Sequence, residues 1–253
     1  MARKTPDREI IPVVQKVRLR YAKRGALKFS SHRDFQRAFE RAVRRVGVPM
    51  AYSAGFTPHP KISYANAAPT GTASEAEYVE IGLAAHVDVE KLLAALQPAM
   101  PVGLAILDAV EAKTPDFVER LQASVWKVAI LEMSEAEATA AVSAFLQRTE
   151  VLVTRNTKNG PRTFDTRAAV VEIEVTGTEM TDSGTSCAIL RLVVKHVTPA
   201  VRPDDVLNAI ALAAEIDYRV IPRITRLAQG PLSAETASVA DPFDLDRHAT
   251  ADL

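Results

Sequence analysis

The sequence predicts an α+β protein built from two ferredoxin-like halves in tandem, each with the element order β-α-β-β-α-β, and a disordered C-terminal tail. Segments that alternate apolar and polar residues, as strands do, are interleaved with segments whose apolar residues recur at helical spacing. This succession occurs twice along the chain of 253 residues, a length that suits two domains of about 100 residues each. With 47% hydrophobic and 25% charged residues, the chain has the composition of an ordinary globular protein.

The first half is predicted to span residues 15–112, after a flexible leader at residues 1–14. Its first helix is the clearest element, because Ser31 can cap the helix and Asp34 places an acid in the first turn, where the helix dipole favours it. Gly47 supplies the end of this helix. The other predicted elements of this half are strands at residues 17–21, 27–29, 62–67, 78–83 and 104–107, an extended stretch at 48–52 and a second helix at 87–99.

The second half is predicted at residues 123–228, after a linker at residues 113–122. Ser134 and Glu137 have the spacing of a capping box and predict a helix that continues to residue 147. Strands are predicted at residues 125–131, 151–154, 169–175, 188–194 and 218–227, and a helix at 204–214. The tail at residues 229–253 is low in large apolar residues and lacks periodicity, which predicts disorder.

The net charge is zero, but the charges are unevenly placed. Residues 16–61 contain twelve Lys and Arg against two acids, whereas residues 232–253 contain five acids against one Arg. Such a basic segment favours polyanion binding, and the acidic tail either covers it or aids solubility.

Five arginines of the first predicted helix lie opposite its apolar stripe, and a guanidinium pairs well with phosphate. The alternative interpretation is an ordinary solvated helix face. The candidate nucleic-acid-binding residues are Arg33, Arg37, Arg41, Arg44 and Arg45 of this helix, with Lys61, Arg155, Lys158 and Arg162 elsewhere; Lys16, Arg18, Arg20, Lys23, Arg24 and Lys28 would extend the patch.

Catalytic residues are unknown, and His32, His59 and Asp165 are the weak candidates. Imidazole titrates near neutrality, so either histidine suits general acid–base chemistry. The alternatives are that His32 supports local hydrogen bonds at the helix start, and that Asp165 pairs with the arginines that flank it. Tyr52, Phe56 and Tyr64 are candidates for stacking on bases, although core packing is favoured for at least two of them.

The single cysteine, Cys187, excludes an internal disulfide and a three-cysteine iron–sulfur cradle, so the chain is not itself a radical-SAM enzyme. No metal or cofactor is predicted. No run of 18 apolar residues is present and the first residues lack the apolar core of a signal peptide, so we expect a cytoplasmic protein with no membrane span.

Four stretches of the chain resemble the radical-SAM-linked family, a domain of unknown function found beside or fused to radical-SAM proteins. They are residues 29–34, residues 52–63 with the sequence YSAGFTPHPKIS, residues 74–78, and residues 155–167 ending in FDTR. The resemblance covers roughly residues 15–228, and the block at residues 55–63 is its most specific part. It implies an accessory to a radical-SAM partner and carries over no catalytic residues. Arg33 departs from the family pattern, since many members have an apolar residue after the histidine.

Together these observations lead to one main hypothesis and two alternatives. The main hypothesis is an RNA-binding accessory protein in rRNA or tRNA modification or ribosome assembly, working alongside a radical-SAM partner. The first alternative is an RNA-processing or RNA-modifying enzyme that uses His32 and His59. The second is a protein-interaction module that docks a radical-SAM enzyme without nucleic acid.

Overall fold

The computed structural model describes residues 11–54, 56–158, 160–181, 183–218, 220–233 and 235–249, and it is a mixed α+β protein, as predicted. The chain divides into two compact units. Unit 1 holds the residues up to Val118 together with those from Phe243 onward, and unit 2 is Glu119–Pro242.

The elements are numbered along the chain. The strands are β1 (Gln15–Lys23), β2 (Ile62–Ala65), β3 (Ala73–Leu83), β4 (Ile106–Glu111), β5 (Ala123–Leu131), β6 (Leu152–Thr157), β7 (Gly160–Asp165), β8 (Val170–Met180), β9 (Ser186–Lys195), β10 (Arg223–Gly230), β11 (Leu232–Ser233) and β12 (Ser238–Val239). The helices are α1 (His32–Val46), α2 (Val89–Leu96), α3 (Glu135–Leu146), α4 (Pro203–Ala214) and α5 (Asp244–His248).

Strands of unit 1 pair in the order β4-β1-β3-β2, and every neighbouring pair is antiparallel. Residues of β1 alternate between the two faces of the sheet, so Leu19 packs with α1 and α2 in the core while Arg18 points to the other face. The predicted start of α1 is confirmed: the Ser31 hydroxyl accepts the N–H of Asp34, and the Asp34 carboxylate accepts the N–H of Ser31. The helix ends at Gly47, whose φ of 73° lies in the left-handed region.

Unit 2 has a sheet in the order β10-β5-β9-β8, again with antiparallel neighbours. Helices α3 and α4 contribute Phe145 and Ile210 to its core. The capping box predicted for α3 is present, since Ser134 and Glu137 exchange hydrogen bonds as expected. Strands β6 and β7 form a separate two-stranded hairpin between α3 and β8.

Two local predictions were wrong. The strand predicted at residues 27–29 is part of a 3-10 helix, Gly25–Phe29, because Gly25 adopts a left-handed φ of 56° and turns the chain at the end of β1. Residues 155–167, for which no strand was predicted, contain the end of β6 and the whole of β7, which pair as a hairpin. Its strands expose most of their side chains, so they lack the one-sided apolar alternation that identifies a half-buried strand.

The tail predicted to be disordered is ordered over its described residues up to 249. Strands β11 and β12 pair with each other, and Phe243 and Asp246 are 0% and 1% exposed. Because Phe243 and Asp246 are isolated buried residues, they produce no periodic pattern in the sequence, and the composition of the tail therefore indicated disorder. Residues 1–10 of the predicted leader lie outside the described residues; Val14, its last residue, donates its N–H to the carbonyl of Leu83 at 2.9 Å.

Candidate nucleic-acid interface

The arginine face, defined as Arg33, Arg37, Arg41, Arg44 and Arg45, is the exposed side of α1. At about 100° per residue these side chains span an arc of roughly 120°, opposite the buried stripe that contains Phe35 and Phe39. The sequence therefore forms an amphipathic helix whose apolar stripe fixes it on the sheet and whose arginines point to solvent.

Charge neutralisation on the arginine face is slight. Arg44 pairs with Glu40 one turn earlier, at 3.3 Å, and its side chain stays 70% exposed. Among the described residues, Arg33, Arg37, Arg41 and Arg45 have no ion pair within 4 Å. Hydrogen bonds from the Ser31 hydroxyl and backbone N–H, helped by the charge of Arg37, hold the pKa of Asp34 below its usual value. That carboxylate is occupied by the helix cap.

Four of the six basic residues that were expected to extend the patch have acidic partners instead. Lys16 and Arg18 pair with Glu80 at 3.0 and 2.9 Å, and Arg24 pairs with Glu75. Arg20 lies 3.5 Å from Asp108. Lys23 is buried, its Nζ 3.4 Å from the carbonyl of Pro69, while Lys28 lies over the ring of Phe29. The extension of the patch along β1 was therefore wrong, because the acids that pair with it lie far away in the sequence.

A short arm, residues 52–60, precedes β2; its residue 55 lies outside the described residues. Bridge pairing of Tyr52 with Pro60 and a hydrogen bond of 2.8 Å from the Ser53 N–H to the His59 carbonyl close the arm into a hairpin. Tyr52 and Phe56 are 44% and 58% exposed, so the expectation that two of the three candidate aromatics are core residues was wrong. Exposed aromatic rings are suited to stacking on bases.

Tyr64 is the aromatic candidate that is partly buried. Its ring lies edge-to-face against His32, with centroids 4.5 Å apart, and against Phe35 at 5.9 Å. Burial, with the negative charge of Glu40, raises the pKa of the Tyr64 hydroxyl. That hydroxyl is buried and makes no hydrogen bond to any described residue. His32 thus packs on Tyr64 at the start of α1; the local hydrogen bonds of the alternative interpretation are not among its contacts with the described residues.

The three catalytic candidates are not assembled by any hydrogen bond among the described residues. His59 is exposed at the base of the arm, where its N–H donates to the Ser53 hydroxyl at 3.0 Å. Asp165 accepts backbone N–H groups from Val151, Arg167 and Ala168 at 2.9–3.2 Å, so its carboxylate shapes the end of β7. Neither the predicted ion pair with flanking arginines nor a catalytic role is needed to explain Asp165.

The remaining basic candidates divide into two kinds. Arg155 binds Asp205 at 2.5 Å, donates to the Ala200 carbonyl and lies over the ring of Phe164, so it stabilises the hairpin. Lys158 and Arg162 are exposed on the same hairpin, and Lys61 is exposed next to the arm.

The sequence assigned no role to Phe29, which is 64% exposed shortly before α1. Its exposure next to a capped helix start was not visible once residues 27–29 were predicted as a strand.

No cluster of three or more His, Cys, Asp or Glu suited to holding a metal ion occurs among the described residues. Across the same residues, the longest apolar helices are too short to cross a membrane.

Residues 16–203 match the family described as "Uncharacterized protein conserved in bacteria", DUF2344. The chain belongs to the DUF2344 family. The match begins in unit 1, ends in unit 2 at the start of α4, and includes the arginine face, the arm and the β6–β7 hairpin. No curated protein matches this DUF2344 chain. Among solved structures, the encapsulated DyP-type peroxidase from Mycobacterium smegmatis is 9% identical over 91% of this chain and 94% of its own, with a TM-score of 0.20. That score is too low to relate the two folds.

Proposed function

We propose that this DUF2344 protein is an RNA-binding accessory protein that acts in rRNA or tRNA modification or ribosome assembly alongside a radical-SAM partner. One observation carries the proposal: the arginines of α1 are exposed and little neutralised, although arginines of the neighbouring β1 have acidic partners. A solvated helix usually alternates charges of both signs, whereas a row of exposed guanidinium groups can pair with the phosphates of a nucleic-acid backbone. A cytoplasmic location belongs to the same proposal, supported by the single, unpaired Cys187.

Two further features support the proposal. Tyr52 and Phe56 offer exposed rings on a hairpin arm in the same unit as the arginine face, and Lys61 follows the arm with an exposed cation. Such a combination of arginines and aromatic rings is typical of surfaces that bind RNA through the backbone and unstacked bases.

We also infer that both units have the ferredoxin-like topology. The inference is supported by the order β4-β1-β3-β2 in unit 1 and β10-β5-β9-β8 in unit 2, each with two helices between the strands. In unit 2 the β6–β7 hairpin would then be an insertion after α3. This fold hosts many functions, so it does not itself argue for RNA.

The test is RNA affinity as a function of salt, with a variant that removes part of the arginine face. Fluorescence anisotropy of a labelled tRNA transcript and of an rRNA fragment, measured between about 50 and about 200 mM salt, gives the number of phosphates contacted. We expect the triple variant Arg37→Gln, Arg41→Gln, Arg45→Gln to reduce the slope of log K against log salt by about 2–3.

A matched control removes three exposed cations of unit 2 with the variant Arg148→Gln, Arg223→Gln, Lys195→Gln. It should leave both affinity and slope unchanged. If both triple variants lost RNA affinity equally, the loss would reflect the change in net charge alone, and the assignment of the site to α1 would be refuted. A radical-SAM protein that co-purifies after nuclease treatment and is lost only from the α1 variant would instead make the arginine face a protein-docking surface.

A further inference from the structure

Unit 2 carries a groove whose described lining includes none of the residues that the sequence predicted to be functional. Two adjoining cavities, of about 440 and 530 Å³, lie beside α3, the C-terminal end of α4 and strands β5 and β6. Ile216 and Asp217 line both cavities, so the two adjoin. Each volume is in the range of natural ligand sites.

The groove combines an apolar floor with an acidic rim. Small side chains of α3, Ala141 and Ala144, leave room above Ile130, and Leu212 of α4 is 61% exposed at the other end. The acids that line the groove are Glu132, Glu137, Glu215 and Asp217. None of the described residues that line it is Lys or Arg.

We propose that this groove binds a basic segment of a partner protein, with one or more apolar side chains seated on the floor and flanking Lys or Arg side chains on the rim. The floor supplies affinity through apolar burial, and the rim selects for cations and speeds association. The apolar floor favours a polypeptide, which brings apolar side chains along with its cations, over a small cationic metabolite. Four carboxylates repel a nucleic-acid backbone, so the groove serves a different ligand from the arginine face of α1. The inference does not depend on RNA binding.

The test uses the full chain and a fluorescein-labelled amphipathic helical peptide of Leu and Lys as the probe. The groove variant Leu212→Ser, Asp217→Lys removes one exposed apolar residue and reverses one rim charge. We expect it to weaken peptide binding about tenfold or more in fluorescence anisotropy. The matched control Met180→Ser, Glu150→Lys makes the same changes at exposed positions elsewhere in unit 2 and should bind as the parent does.

Two altered peptides separate the contribution of apolar contacts to binding from that of charge. Replacing Leu by Ser should abolish binding through loss of the apolar anchor, and replacing Lys by Glu should abolish it through charge. The proposal is overturned if the parent chain does not bind the peptide, if groove and control variants bind alike, or if the Ser-substituted peptide binds as tightly as the original. Complete displacement of the peptide by spermidine would identify a site for small cations and would also overturn it.

Discussion

Replacing Asp246 by Ala should destabilise unit 1 far more than the same replacement of any other acid in the C-terminal segment. Asp246 is 1% exposed, and its carboxylate accepts hydrogen bonds from the Arg18 guanidinium at 2.5 Å, the Thr114 hydroxyl at 2.6 Å and the backbone N–H groups of Lys113 and Thr114. The Arg18 side chain is itself only 4% exposed and lies over the ring of Phe117, 4.8 Å from its centroid. The substitution therefore leaves one guanidinium nitrogen and three other donors without their acceptor.

The expected magnitude follows from what remains around Arg18. Removing one partner of a buried ion pair costs about 3–5 kcal/mol, because the other charge stays buried. Glu80 still accepts from Arg18 Nε at 2.9 Å and is 20% exposed, so part of the charge stays compensated. We therefore expect a loss of about 3 kcal/mol. The control Asp244→Ala breaks an exposed pair with Arg247 and should cost about 0.2–1 kcal/mol.

Urea unfolding followed by circular dichroism measures the loss, and hydrogen exchange with mass spectrometry locates it. Faster exchange is expected at residues 112–118 and 243–249, the two segments that Asp246 joins. A double variant Arg18→Met, Asp246→Leu should recover only the part of the loss that comes from the unpaired guanidinium, since the Lys113 and Thr114 donors still lack the carboxylate. After that change Glu80 keeps Lys16 as its partner at 3.0 Å.

The same site predicts a pH dependence. Burial opposes ionisation of Asp246, but hydrogen bonds from the Thr114 hydroxyl, Arg18 and the Thr114 N–H outweigh it and lower the pKa of the carboxyl. A group whose pKa falls on folding stabilises fully above its unfolded pKa, about 3.9, and loses that contribution as the pH drops toward its folded pKa. Unfolding midpoints of the Asp246→Ala chain should thus fall less steeply than those of the parent below about pH 4. Equal midpoints for parent and Asp246→Ala at neutral pH would refute the reasoning.

Three further predictions concern unit 2. Burial lowers the pKa of His196, whose ring bonds the Ser124 hydroxyl at 2.7 Å and the Leu121 carbonyl at 2.5 Å; stability should fall as the pH drops through about 6.5, and His196→Gln should remove that fall in urea titrations. Gly230→Ala should cost at least about 2 kcal/mol in urea unfolding, because its Cβ would lie 2.1 Å from the Ala240 carbonyl oxygen. Asp165→Ala should cost about 1–3 kcal/mol, because three backbone N–H donors lose the carboxylate that accepts from them, and unchanged RNA affinity in anisotropy would separate this role from ligand binding.

Helices were the elements best predicted from the sequence, because their signals are local. Ser31 with Asp34, and Ser134 with Glu137, mark helix starts within four residues, and both capping boxes are present. Strand β7 and the end of β6 were missed because most side chains of this hairpin are exposed on both strands, so no buried face generates alternation. The groove in unit 2 could not be foreseen either, since its walls come from residues as far apart as Ile130 and Tyr218.

The contrast between β1 and α1 shows where counting charges along a sequence fails. Both segments contribute to the same local excess of cations, and the charge count alone does not tell them apart. Strand periodicity places Arg18 and Arg20 on a sheet face where they meet acids that are at least 62 positions away in the sequence. Helical periodicity instead turns the α1 arginines to solvent. The acidic C-terminal segment does meet the basic segment, as one interpretation of the tail held, but it neutralises β1 and not α1. The cations that remain on α1 are for that reason a more specific indication of a binding surface than the local charge count was.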